Sequence, residues 1–242
     1  MIKVYYRISD KNRKGKAPDY FSNKNCLDNF LNNFNPEEIT IIADNVKDET
    51  YDWLLTYNKS IKRISLGNVG SLKYTFDLSI KNNDEDIVYF VENDYLHTKD
   101  SKQLLEEAFE MGASYVSLYD HPDKYTAHYN INYDRYVDML SRDVGYETLT
   151  SKIYYGKTSY WRTTPSTCMT FATKVKTFKE DYDIINKMFY DQENNLLKNV
   201  HDHGMFLEFW KKGRVLISPI PGAATHGDML SPHVIWKDQL IK

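Results

Sequence analysis

The chain has 242 residues and a net charge of −3, from 31 Lys and Arg against 34 Asp and Glu. That length buries a sizeable core without staples, and the charge argues against a nucleic-acid partner, which needs a basic face. The only cysteines, Cys26 and Cys168, form neither a metal spacing nor a disulfide framework, so a reducing, cytoplasmic setting is expected.

The N-terminal run IKVYYRI reads as a strand from its β-branched and aromatic residues, with no long apolar signal region before it. A loop rich in Gly, Pro and Lys follows. Leu27, Phe30, Leu31 and Phe34 then recur at helical spacing. EITIIAD is a continuous apolar run, as expected of a strand covered on both faces. Asp48 is placed to cap a helix carrying Trp53 and Leu54. KRISLGN reads as a third, weaker strand, and Ser71 is expected to open a helix reaching Ile80. DIVYFV is the strongest strand. Asp100 or Ser101 caps KQLLEEAFEM, and Gly112 stops it. SYVSLYD is a fifth strand.

The order up to Asp120 is β-α-β-α-β-α-β-α-β. Such alternation with short loops implies an α/β fold, a mainly parallel sheet flanked by helices. Residues 121–165 show weak periodicity and read as a long loop or lid, with HPDKY as a turn. TCMTFATKV reads as a strand, Lys179 to Tyr190 as a helix, GMFLEFWKKG as a short helix ended by Gly213, and RVLISPIP as a last strand. The remaining tail reads as irregular. No run approaches the ~18 apolar residues of a membrane span. Nothing marks a second domain, so residues 1–242 are expected to form one.

Ligands of such sheets bind beyond the carboxyl ends of the strands. Asp10, Asp44, Asn68, Glu92 and Asp94 all fall at such ends. Glu92 and Asp94 are two residues apart, so on a straight strand they point to opposite faces. A bend at Asn93 would bring both to one ligand, and oxygen donors of this kind suit Mg²⁺ or Mn²⁺. Arg7, near the end of the first strand, is placed to reach a base or phosphate or to pair with an acid. Asp202 precedes a short helix and reads equally as its N-cap or as a general base. His201 and His203 flank it without a cysteine nearby, which disfavours zinc. His226 sits among small residues that let a ligand approach the backbone. Trp161, Trp236 and Tyr95 read as core or as sugar-stacking rings. The 20 tyrosines reflect either codon bias or a tyrosine-lined site. GNVGS is not a dinucleotide-binding fingerprint and no Walker A sequence exists, which disfavours a dehydrogenase or an ATPase.

The order of these motifs resembles the GT-A fold of nucleotide-sugar-dependent glycosyltransferases, over roughly residues 1–228. VYFVENDYLH stands where that family has a strand ending in Asp-x-Asp. Asp44 in IIADN matches its acidic residue after the second strand, and LGNVGS resembles its nucleotide-approaching loop. Asp202 in HDHG resembles its base, and His226 in ATHGD its late metal ligand. The chain departs in having Glu92 at the first acidic position and DNVKDET in place of an Asp-Gly-Ser turn. The resemblance implies transfer of a sugar from a nucleoside diphosphate sugar, UDP favoured, to an acceptor hydroxyl of a glycan or other molecule. It implies Mn²⁺ or Mg²⁺ on Asp94 and His226, a nucleotide held by Arg7, Asp44, Asn68, Ser71 and Glu92, and Asp202 as base. It also implies a nucleotide-binding half, 1–120, and an acceptor-side half, 121–242. The alternatives are a nucleotidyltransferase that makes nucleotide sugars and a non-catalytic carbohydrate-binding protein.

Overall fold

The structure, a computed structural model, describes residues 1–10, 17–122, 151–191, 196–198, 200–232 and 234–240. Four strands, β1 (Ile2–Ile8), β2 (Glu38–Asp44), β3 (Ser60–Ile64) and β4 (Ile87–Glu92), lie in the order β3-β2-β1-β4, all parallel. Three helices, α1 (Asn23–Asn33), α2 (Asp48–Leu55) and α3 (Gly67–Ser79), connect them.

Period-2 alternation divides the core between the faces of the sheet. Val4, Tyr6, Tyr89 and Val91 face Leu27 and Phe30 of α1 and Phe34 at its C-cap, together with Leu104, Leu105 and Ala108 of α4 (Ser101–Glu110). Tyr5, Val88 and Phe90 face the opposite way, onto Leu72 and Phe76 of α3. The same face is closed by α5 (Val175–Glu180), α6 (Tyr182–Phe189) and α7 (Asp202–Lys211), through Phe178, Ile185, Phe189, Phe206 and Phe209. Tyr6, Tyr89, Tyr95, Tyr115 and Tyr119 are all fully buried. These five are therefore core, not site lining.

Beyond β4 the sheet becomes mixed. A short β5 (Tyr95–His97) leaves it, and β6 (Tyr115–Val116) is not its next strand. Strand β9 (Phe171–Lys174) is inserted antiparallel between β4 and β6. Then come β10 (Leu216–Ile220), β8 (Tyr160–Thr163) and β7 (Ile153–Tyr155), giving nine strands among the described residues. The pattern of the first half suggests a mainly parallel sheet. Strands β1 to β4 keep that direction, as do β6 and β10, which pair parallel with each other, and the antiparallel pairings of β9, β8 and β7 make the sheet mixed. Strand pairing far along the chain decides the rest.

Several boundaries move for local reasons. The third strand ends at Ile64, and α3 starts at Gly67, four residues before Ser71. Two α3 amides are capped from another strand by Asp44, which local sequence does not reveal. The α2 N-cap is Lys47, whose side chain makes no capping bond. Asp10 supplies the acceptor instead, taking the Lys47 amide at 2.6 Å and the Thr50 hydroxyl at 2.9 Å. Asp181 splits the expected 179–190 helix into α5 and α6; it is fully buried and binds Arg214, Lys212 and Tyr115. Residues 153–163, expected as loop, form the β7–β8 hairpin, anchored by Trp161 and Thr158 donating to Glu107 of α4. The rest of the expected lid, 123–150, lies outside the described residues. The tail contributes β11 (Ala224–His226) and a 3₁₀ turn (Trp236–Gln239). Trp161 and Trp236 are core residues at 0% and 2% exposure, so neither offers a sugar-stacking face. No helix among the described residues is long and apolar enough to cross a membrane.

His97 gives the fold a pH dependence. It is fully buried beside Phe30 and Phe34, with Nε2 2.7 Å from the Tyr89 hydroxyl. Burial lowers its pKa from 6.5 to about 3. The unfolded chain therefore binds a proton between those values that the folded chain refuses. Stability is expected to fall as pH drops through that window, by up to about 1.4 kcal/mol per unit. Denaturant titrations at stepped pH check this, and His97→Gln should flatten the slope.

Candidate active site

One cleft of ≈ 370 Å³ opens at the carboxyl ends of β1, β2 and β4 and the start of α3. Its lining contains Arg7, Asp44, Asn68, Ser71, Glu92 and Asp94, six of the residues singled out from the sequence, together with Asn45, Gly67 and Asn93. The topology brings them together: parallel strands deliver all their carboxyl ends to one edge. Asp10 does not line it, being turned to the start of α2.

Arg7 organises the floor. Nη1 donates to Glu92 Oε1 at 2.8 Å, while Nη2 donates to Asn68 O and Oδ1 at 2.8 Å and to Ser71 Oγ at 3.0 Å. The register explains the first contact, because Arg7 on β1 pairs with Glu92 on β4. Burial pushes the Glu92 carboxyl above its usual range, Arg7 counteracts that, and the nearby Asp94 adds to it. Asp44 is equally committed. Its Oδ1 accepts the Leu66 and Gly67 amides at 2.7 and 3.1 Å, occupying two of the unpaired N–H groups of α3. Gly67 has φ +71°, the left-handed region that glycine tolerates without penalty.

The acidic triplet does bend at Asn93. Asn93 and Asp94 form the turn between β4 and β5. Asn93 Nδ2 donates to Asn23 Oδ1 at 2.6 Å, and Asn23 Nδ2 donates to Ser9 O at 3.0 Å, tying the turn to α1 and β1. Asn23 carries no sequence signal beyond its polarity.

Strand β5 pairs antiparallel with β11, placing His226 opposite Tyr95. The Gly227 amide donates to Asp94 O at 2.9 Å. His226 Nε2 then lies 3.3 Å from Asp94 Oδ2. The two residues read as a pair from the sequence are thus adjacent. Among the described residues, no group of three or more His, Cys, Asp or Glu side chains is arranged to hold a metal.

Asp202 stands apart from the cleft lining. It is not the cap of α7; His201 holds that position, without a side-chain bond. Asp202 Oδ2 instead accepts the Thr167 and Cys168 amides, each at 2.7 Å, and the Thr167 hydroxyl at 3.2 Å. The turn carrying those amides was legible only as the start of a strand. Neither His201 nor His203 joins a metal cluster among the described residues.

No protein-family model and no curated protein matches this sequence. Solved structures do match. The crystal structure of S. aureus TarS residues 1–349 superposes with a TM-score of 0.50 at 12% identity, over 96% of this chain and 58% of that one. A second S. aureus TarS crystal structure gives 0.51 and 12%, over 90% of this chain and 34% of that one. The chain therefore spans between about a third and three fifths of the length of the TarS chains it matches. The fold shared with these structures is an α/β sheet flanked by helices. At such identity the likeness concerns the fold.

The Arg7–Glu92 pair makes a stability prediction. The side chains are 9% and 20% exposed. Removing one partner of such a buried pair leaves the other without its counter-charge, at a cost of about 3 kcal/mol. Arg7→Ala should lose that much in urea unfolding, and Arg7→Ala combined with Glu92→Gln should recover part of it.

Proposed function

We propose that this chain is a glycosyltransferase that moves a sugar from a nucleoside diphosphate sugar, UDP being the favoured donor, to an acceptor hydroxyl of a glycan or similar molecule. The observation that carries the reading is the Asp94–His226 pair beside a cleft at the carboxyl edge of a glycosyltransferase-like sheet. In this reading Arg7, Asp44, Asn68, Ser71 and Glu92 shape the nucleotide subsite within residues 1–120, and residues 121–242 supply the acceptor side.

The Asp94–His226 pair fits a divalent cation in its chemistry. A carboxylate oxygen and an imidazole nitrogen suit Mn²⁺ better than Mg²⁺, which prefers oxygen throughout. With two protein donors, the remaining positions would fall to phosphate oxygens and water. When bound, the cation supplies charge neutralisation for the leaving diphosphate.

The chain's own residues do the rest. Arg7 holds Glu92, Asn68 and Ser71 in one arrangement, so the cleft is shaped before a nucleotide arrives. Asp202 takes the acceptor proton. One of its oxygens is held by the 167–168 amides, which leaves Oδ1 as the proton-accepting atom in this mechanism.

Two experiments test the reading. Calorimetry should show UDP binding more tightly with Mn²⁺ than with EDTA, and Asp94→Ala should abolish the difference while the protein stays folded. Equal affinities would remove the cation from the mechanism. Asp202→Asn keeps an acceptor oxygen for the turn but cannot take a proton. It should lower transfer by roughly 10²–10⁴-fold, the usual size of general-base catalysis, with near-normal melting temperature. Asp202→Ala should also destabilise, by about 1–3 kcal/mol for the stranded donors. Near-normal transfer by Asp202→Asn would exclude Asp202 as base.

A further inference from the structure

The turn from Ser166 to Thr170 touches both halves of the site. On one side, its Thr167 and Cys168 amides and the Thr167 hydroxyl bind Asp202 Oδ2, and the Ser166 hydroxyl lies 3.4 Å from the same atom. On the other side, the Tyr95 hydroxyl donates to Thr167 O at 3.1 Å and lies 3.5 Å from Cys168 O. Tyr95 directly follows Asp94. The Thr170 hydroxyl accepts the Glu92 amide at 3.1 Å. Five residues thus hold Asp202 and both ends of the Glu92–Tyr95 bend.

The conformation of the turn needs this support. Cys168 and Met169 have φ of +46° and +61°, adjacent non-glycine residues in the left-handed region. Such residues persist there only when their surroundings over-determine them. The supports are internal and external. Thr170 N donates to Thr167 O, and Met169 N to Thr167 Oγ1. Ser117 Oγ donates to Thr170 O. The Thr167 and Cys168 amides converge on one carboxylate oxygen, a small two-donor nest of backbone N–H groups. Asp202 fills it.

We propose that the Ser166–Thr170 turn is a positioning element coupling the Glu92–Tyr95 bend to Asp202, with Tyr95 and Thr167 as positioning residues. The proposal rests on the assignment of Asp202 as base. It adds how that base is kept in register with the donor cleft whose lining it does not share. Tyr95 is suited to the link because it is fully buried and its hydroxyl donates to Thr167 O. Thr167 is suited because its hydroxyl both accepts the Met169 amide and donates to Asp202.

Cys168 makes the turn observable without any substrate. It is partly exposed within the turn, whereas Cys26 is fully buried in another cluster. Labelling with a thiol reagent reads the turn at Cys168 and global unfolding at Cys26. Asp202→Ala and Tyr95→Phe should each change the Cys168 labelling rate by at least about threefold with Cys26 protected, while Asp202→Asn and Thr167→Ser stay near wild type. A variant that unfolds is recognised by Cys26 labelling. In that case hydrogen exchange of the wild-type Thr167 and Cys168 amides decides: strong protection supports the nest, and exchange at exposed-loop rates overturns it.

Turnover supplies the functional arm. With UDP-glucose and Mn²⁺, UDP release by Tyr95→Phe and Thr167→Val should fall about tenfold while UDP affinity stays unchanged. Thr167→Ser should restore the rate. If Asp202→Asn is inactive and Tyr95→Phe and Thr167→Val turn over like wild type, the coupling is wrong and the base assignment stands. If Asp202→Asn turns over like wild type, the base assignment itself fails. Should UDP-glucose prove inert with wild type, the labelling and exchange measurements still decide whether the turn joins the two halves.

Discussion

The structure depends most on the insertion of β9 between β4 and β6. Without it, β4 would be an open sheet edge, carrying unpaired backbone groups on the strongest strand of the chain. With it, the ladder from Phe90–Phe171 to Ile87–Lys174 joins the parallel half to everything that follows. The same strand pairs through Thr173 and Ala172 to Tyr115 and Val116 of β6. Its aromatic start, Phe171, sits in the cluster formed by Phe76, Phe90, Phe178 and Phe206. Because β9 runs antiparallel, the residues just before it arrive at the carboxyl edge of the parallel strands. That direction alone puts the Ser166–Thr170 turn beside Glu92 and Tyr95.

Carboxylates near the site are spent on backbone amides before any ligand is considered. Asp10 holds the start of α2, Asp44 the start of α3, and Asp202 the turn before β9. Each ties together segments distant in the chain, and each satisfies donors that would otherwise lie unpaired. A buried or half-buried N–H without a partner costs about 1–3 kcal/mol, so these contacts bear on stability as well as on site geometry. For Asp44 and Asp202 the two uses are compatible, because each carboxylate has a second oxygen.

The cleft itself is electrostatically uneven. Arg7 is consumed by Glu92, Asn68 and Ser71, which leaves Asp44 and Asp94 as the further acids of the lining. The Asp94–His226 contact adjoins these acids. Its geometry comes from β5 and β11, a two-strand ladder of three residue pairs outside the main sheet.

The sequence by itself determined the first four strands, their connecting helices and the edge at which their ends collect. It did so because apolar runs, helical spacing and capping residues act locally, within a few turns of chain. Asp44, Asn68, Glu92 and Asp94 were readable together for the same reason: each stands at or near an element end, and parallel topology gathers such ends into one cleft. Tertiary structure alone decided the direction and place of β9, the β7–β8 hairpin and the pairing of β5 with β11. Those depend on hydrogen bonds between backbone groups far apart in the chain, which no local pattern encodes. It also decided which acids cap helices and which face the cleft. Asp10 and Asp44 look alike in sequence, each at the end of a strand, yet Asp10 turns to α2 and only Asp44 lines the cleft. Asp202 looks like the cap of its own helix and instead binds the amides of Thr167 and Cys168. A carboxylate takes whichever unpaired N–H groups the fold leaves within its reach, and that reach is set in three dimensions.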